Sequence, residues 1–262
     1  MGIVTRLELR LLAHATVYAG TRFWSIEHVP AVVERWIKSS ESFPAEITSH
    51  VWALNAPDAP VLPESLRGRA VTAIGACGTD IASAQAHMTD CFEPLPEPLF
   101  SSFAERRPEQ LSEIHLDPPG PVPAIGEGRL LAELEPSSAV AILEAAGIGD
   151  GPVTLVELRQ LGGALRHART EGALTTLDGA FALVAVGAAP NPAGAAAVKE
   201  RIDEVVRAAA PADLGRSVAN LRTGRSVAPG ALTQANARTL RRIQRERDPE
   251  ARLIRAMRLT EQ

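Results

Sequence analysis

Several things are scarce in this 262-residue sequence, and each scarcity excludes a class of protein. Only two cysteines occur, Cys77 and Cys91, without CxxC spacing, which excludes a disulfide framework and a zinc knuckle. No apolar run approaches the ~20 residues of a membrane span. The opening residues, Ile3-Val4-Thr5-Arg6-Leu7-Glu8-Leu9-Arg10, carry charges too regularly for a signal-peptide core, so the cytoplasm is the expected compartment. Aromatic residues make up 4% and the net charge is −4, an unpromising balance for nucleic acid. There is no GxSxG elbow, HExxH pair, Walker loop or GxGxxG turn.

What is present is a globular composition, with 45% hydrophobic and 22% charged residues, enough to bury a sizeable core in one large domain. Strict alternation over 3–11 predicts a half-buried strand, and the β-branched and aromatic run 16–24 predicts its antiparallel neighbour. Pro30 suits only a first helical turn, so a helix is expected from His28 to Ser39, its apolar face carrying Val32, Val33, Trp36 and Ile37. Strands follow at 46–54 and 69–76, separated by a Pro-rich connector at 55–67, and then a helix at 80–92 capped by Thr79 or Asp80.

Residues 93–128 hold eight of the 20 prolines and one short helical candidate at 108–114, a long excursion of the kind that forms binding lids or packed irregular segments. A second cycle is expected beyond it: strand 130–134, a helix to Ala146 capped by Ser137 or Ser138, strands 153–158 and 181–186, and helix 192–210. A short strand at 217–221 and a helix at 232–245 close the chain. The fold class is α+β, a large antiparallel sheet backed by helices on one face, built from ferredoxin-like units.

Between Arg238 and Arg258 eight arginines face three acids. With no interleaved aromatics to stack on bases, this reads as a solvated or protein-facing helix, and no nucleic-acid or membrane partner is expected. Gly75-Ala76-Cys77-Gly78-Thr79-Asp80 has the glycines of an anion-binding turn without the lysine, and reads as an ordinary strand-to-helix junction. The six histidines form no close ligand set, and no metal site is expected.

One polar constellation stands out. In the strand at 153–158, continued through Gln160, Glu157 and Arg159 share one face while Val156 and Leu158 share the other. If helices cover the apolar side, Thr48, His50 and Trp52 of the earlier strand share the charged face. Either this face looks into a pocket, or Glu157 and Arg159 form a mutual ion pair on an exposed sheet.

Val156-Glu157-Leu158-Arg159-Gln160-Leu161-Gly162-Gly163-Ala164-Leu165 resembles the ELRxLGGA segment of berberine-bridge-enzyme-like FAD-linked oxidases. Gly2-Ile3-Val4-Thr5, Val17-Tyr18-Ala19-Gly20 with Trp24, Ser112-Glu113-Ile114-His115 with Asp117-Pro118-Pro119, and Phe181 to Gly187 are similar to the same proteins in the same order. The resemblance implies a flavoenzyme with an FAD domain, a substrate domain whose sheet roofs the flavin, and a return segment. Only the last two are expected here: a substrate domain at 1–214 and a return segment at 215–262 that packs on the FAD domain in relatives.

The family's glycine-rich flavin segment lies upstream of the Ile3-Val4-Thr5 strand. The chain is therefore expected to bind no cofactor alone and to take FAD only with a separately encoded FAD domain, a homo-oligomer being the other expected partner. Val218-Ala219-Asn220 stands where the family has Tyr-x-Asn, so Asn220 is the expected flavin contact and the phenol is lost. Arg247-Asp248-Pro249-Glu250-Ala251 lacks the Tyr and Asn of the family's closing pattern, and Gln160 stands where bacterial relatives often carry histidine.

The resemblance implies the substrate-binding portion of an oxidoreductase acting on a small organic or secondary-metabolite substrate. Glu157 and His50 are the expected catalytic residues, and Arg159, Gln160, Thr48, Trp52 and His115 the substrate-binding ones. The lost tyrosine and asparagine keep open an alternative, a cofactor-free cyclase or isomerase, or a non-catalytic binding protein, that reuses the sheet.

Overall fold

A computed structural model describes residues 3–9, 11, 13–115, 120–167, 176–223, 232–250 and 252–253. Gly2, Asp117, Pro118, Pro119, Ala251, Arg255 and Arg258 lie outside the described residues.

Among the described residues nine strands form one sheet: β1 Val17–Ser25, β2 Ile47–Asn55, β3 Ala70–Gly78, β4 Phe100–Ser101, β5 Ala104–Arg106, β6 Ala124–Leu131, β7 Leu155–Gln160, β8 Phe181–Ala188 and β9 Asp213–Arg216. The order is β4-β1-β3-β2-β7-β8-β6-β9, with β5 also on β1. Every described pairing is antiparallel. The helices are α1 Val29–Ser40, α2 Ile81–Phe92, α3 Pro136–Glu144, α4 Pro192–Ala209 and α5 Gln234–Arg247. No helix among the described residues is long and apolar enough to cross a membrane.

The element order contains the same unit twice, β1-α1-β2-β3-α2 and β6-α3-β7-β8-α4. Each unit places its third strand between the other two, and the units join edge to edge at β2 and β7. The register there pairs His50 with Arg159, Trp52 with Glu157 and Leu54 with Leu155. The middle of the sheet is thus a seam between two similar halves, and the charged strand lies on it.

Helices α1 to α4 cover one face because each strand alternates. Val51, Ala53, Ile74, Ala76, Val156, Leu158, Leu183 and Ala185 point to the helices and share one core with Val32, Val33, Trp36 and Ile37 of α1. Trp36 is fully buried, and its indole N–H donates to Ser49 Oγ at 3.0 Å. Pro30 occupies the first turn of α1, and the Asp80 side chain caps α2 by accepting from Ser83 N at 3.0 Å. Losing one such cap costs about 1 kcal/mol.

The structure departs from the sequence-based expectations at several places, among them the short strands β4 and β5 inside the 93–128 excursion. The described residues among 3–11 form no strand; Ile3, Val4, Leu7, Leu9 and Leu11 are 72–86% exposed. Alternation marks the sides of a potential strand but supplies no partner edge, and without one the ladder does not form. β6 begins six residues before the expected 130, because Gly126 and Gly128 conceal its pattern. A Cβ on Gly128 would lie 2.9 Å from Leu221 Cβ, so the glycine leaves room for the chain that crosses it.

The expected strand 217–221 is a 3-10 turn, Ala219–Leu221, and the real edge strand is β9 just before it. Finally, the serine caps of α3 are replaced by Glu135, which makes no side-chain cap bond, followed by Pro136 at the first helical position.

Residues 217–223 remain on this sheet. The expected 214/215 boundary falls within β9, Thr223 Oγ1 accepts from Gly126 N at 3.0 Å, and Arg222 pairs with Glu127 at 3.0 Å. Val218 and Leu221 pack with Leu130 and Ala182 on the face opposite the helices.

Candidate functional site

The face turned away from the helices carries the polar group at the seam. Parity puts His50 and Trp52 of β2 beside Glu157 and Arg159 of β7. Glu157 is 1% exposed, His50 6% and Trp52 5%. Arg159 Nε donates to Glu157 Oε1 at 2.8 Å while its side chain remains 46% exposed, so a cation at the rim holds a carboxylate in the interior. The expected ion pair is therefore real, but it is half buried rather than exposed.

His50 Nδ1 lies 4.0 Å from Glu157 Oε1, too far for a hydrogen bond and close enough to orient the ring. Burial pushes the His50 pKa down from 6.5 to about 3, and His115 and Arg159 push it the same way. His50 is consequently neutral at ordinary pH. The carboxylate beside Nδ1 favours hydrogen on that nitrogen and leaves Nε2 as an acceptor.

Two polar atoms here have no hydrogen-bond partner among the described residues: His50 Nε2 and Trp52 Nε1. Buried polar groups are nearly always satisfied, and an orphaned one costs about 1–3 kcal/mol. The Nε2 acceptor faces the backbone at Gly75, so the Trp52 N–H beside the buried carboxylate is the group suited to engaging a polar ligand.

His115 completes the group. Its ring stacks on His50 with centroids 5.0 Å apart and an interplanar angle of 23°, and it meets Trp52 edge-on at 6.0 Å. Three residues of this surroundings were not evident from the sequence. Gly75 is the first: a Cβ there would collide with the His50 imidazole. The first glycine of the stretch read as a strand-to-helix junction thus lies inside β3 and makes room for a ring. Thr21 and Ile114 are the others, joined by a hydrogen bond from Thr21 Oγ1 to the Ile114 carbonyl at 2.8 Å.

The remaining expected residues lie elsewhere. Gln160 belongs to the helix-facing parity of β7; its carbonyl accepts from Ser49 Oγ at 2.9 Å and its NH2 donates to Ser40 O at 2.8 Å. Its hydrogen bonds tie α1 to the sheet. Thr48 is exposed and, with Gln160, lines a separate cleft of about 910 Å³ at the end of β7. Asn220 is exposed on the turn over β6 and β8, on the same face as the His50 group. No group of three His, Cys, Asp or Glu side chains among the described residues could hold a metal ion.

No family model matches the sequence, and no curated protein does. Solved structures do match. BBE-like 1 of Physcomitrella patens superposes with a TM-score of 0.72 at 13% identity over 95% of this chain and 55% of that one. BBE-like 28 of Arabidopsis thaliana gives 0.64 at 12% identity over 90% and 54%. Phl p 4, a grass pollen allergen with glucose dehydrogenase activity, gives 0.63 at 13% identity over 93% and 54%. The chain spans about half the length of these structures, and it has the α+β fold of BBE-like substrate domains.

Proposed function

We propose that this chain is the substrate-binding part of an FAD-linked oxidoreductase of the BBE-like type, with the β2–β7 seam as the substrate face. The observation that carries this reading is the Glu157–Arg159–His50 group, which combines a buried carboxylate with two orphaned polar atoms on the side the helices leave free.

The described residues do not fit the whole of FAD. A dinucleotide needs backbone N–H groups at a glycine-rich turn or a free helix N-terminus. Here the side chains of Asp80, Asn191 and Thr233 already cap α2, α4 and α5, and prolines open α1 and α3. The flavin is therefore assigned to other residues, in a separately encoded FAD domain or another part of the same assembly. The redox step is theirs, and Asn220 is the residue of this chain offered to the ring.

The chain's own contribution is positioning and proton handling for a small organic substrate. Glu157, held by Arg159, accepts the substrate proton and the Trp52 N–H fixes the substrate by a hydrogen bond, while neutral His50, packed against Gly75, stays beside the carboxylate. The exposed Ile3, Val4, Leu7, Leu9 and Leu11 favour a partner that covers them, because monomers rarely leave such a row in water.

Anaerobic reduction of the flavin-loaded assembly by substrate tests the reading. Glu157→Gln is expected to slow reduction by about 10²- to 10⁴-fold, the typical contribution of a general base, without loss of bound flavin. An unchanged rate would remove Glu157 and the seam from the chemistry.

A further inference from the structure

The excursion between α2 and β6 returns across the free face and ends on the polar group. Its 3-10 turn Pro108–Glu113 leads to Ile114, which is 5% exposed and packs on Val17 and Ala19 of β1. The Ile114 carbonyl accepts from Thr21 Oγ1 at 2.8 Å, and Thr21 is fully buried, so this backbone point is pinned to the sheet. The next residue, His115, lays its ring on the face of His50 and its edge against Trp52.

His50 is thereby limited on two sides. Gly75 lies directly beneath the Nε2–Cε1 edge, where any side chain would strike the ring. His115 covers the ring face. Two χ angles set the orientation of an imidazole, and an edge contact together with a face contact fixes both.

We propose that His115 is a positioning residue that, with Gly75 as the floor, fixes the His50 ring with Nδ1 toward Glu157 and shields it from water. Its functional meaning rests on the seam being a substrate face, but the geometry stands without that. The charged or titratable groups facing His50 are Glu157 and Arg159 of β7 and His115 itself, while Trp52 adds only a neutral one. The low His50 pKa, caused first by burial, agrees with a ring kept dry.

Nitrogen-15 NMR of histidine-labelled protein reads the ring directly, without ligand or flavin. In the unaltered chain His50 should stay neutral, with hydrogen on Nδ1, to below pH ~5. His115→Ala should admit water and raise the His50 midpoint by about one unit or more toward the ordinary histidine value. His115→Phe keeps a stacking ring but removes the imidazole charge, so it should raise His50 by less than alanine does and leave the tautomer the same.

Thr21→Val removes the anchor of Ile114 and should move His50 in the same direction as His115→Ala. It also provides the test if His115→Ala does not fold. An unchanged titration and tautomer in both His115→Ala and Thr21→Val would overturn the proposal, as would His115→Phe shifting His50 as far as alanine does. Failure of Glu157→Gln to slow flavin reduction would sink the substrate reading and leave these NMR outcomes unaffected.

Discussion

Acidification should destabilise this protein through His50 by a calculable amount. Native His50 stays neutral down to about pH 3, whereas the same residue in the unfolded chain takes a proton below its ordinary value of 6.5. The unfolded state therefore binds more protons between those values, so stability rises with pH across the window and is lost as pH falls through it. Each pH unit is worth about 1.4 kcal/mol per proton, so moving from pH 7 to pH 5 costs about 2 kcal/mol from this residue alone. Only 8% of the His50 side chain is exposed, so solvent screening does not dilute the effect.

The assay is urea unfolding of the native sequence and His50→Gln at pH 7 and pH 5. Every other titrating group is common to both proteins and cancels in the double difference, while glutamine carries no proton over this range. The native sequence should lose about 2 kcal/mol more than the variant. Equal losses in both would mean that His50 protonates freely in the folded protein, and the dry, neutral imidazole would be refuted.

Gly75→Ala places a methyl group against the His50 ring and should cost about 1–3 kcal/mol in unfolding free energy, with the His50 NMR signals displaced. Gln160→Ala breaks the link between Ser49 and Ser40 and should cost about 1–3 kcal/mol in urea unfolding, while the flavin-reduction rate of the assembly stays unchanged. Leu7→Asp with Leu9→Asp should abolish association that light scattering detects for the unaltered chain at micromolar concentration; a clean monomer before substitution would contradict the covered-row reading.

The long periodic elements were legible because local spacing and global packing agree in them. Val32, Val33, Trp36 and Ile37 recur at helical spacing and are the residues α1 buries. Parity also placed Thr48, His50 and Trp52 on the same side as Glu157 and Arg159. Parity cannot state register, so the pairing of His50 with Arg159 required the structure.

What local spacing could not show is what closes over the strands from a distance in sequence. The stacking of His115 on His50 depends on a proline-rich return path, and the role of Gly75 depends on a ring from the next strand. Glycine reads as a turn or phosphate signal when it is scanned locally, whereas here it is an absence of side chain where another needs the space. Gln160 shows the reverse case: a polar residue beside a charged pair, next in sequence and opposite in face, spent on joining helix to sheet.

The most direct measurement is an experimental structure of the native flavin-containing assembly purified from its own cells through a tag on this chain. The flavin ring should face the β2–β7 seam, with Glu157, Trp52 and the His115 that covers His50 lining the space between ring and sheet. A ring seated against the helix-covered face, or an assembly that never contains flavin, would contradict the account.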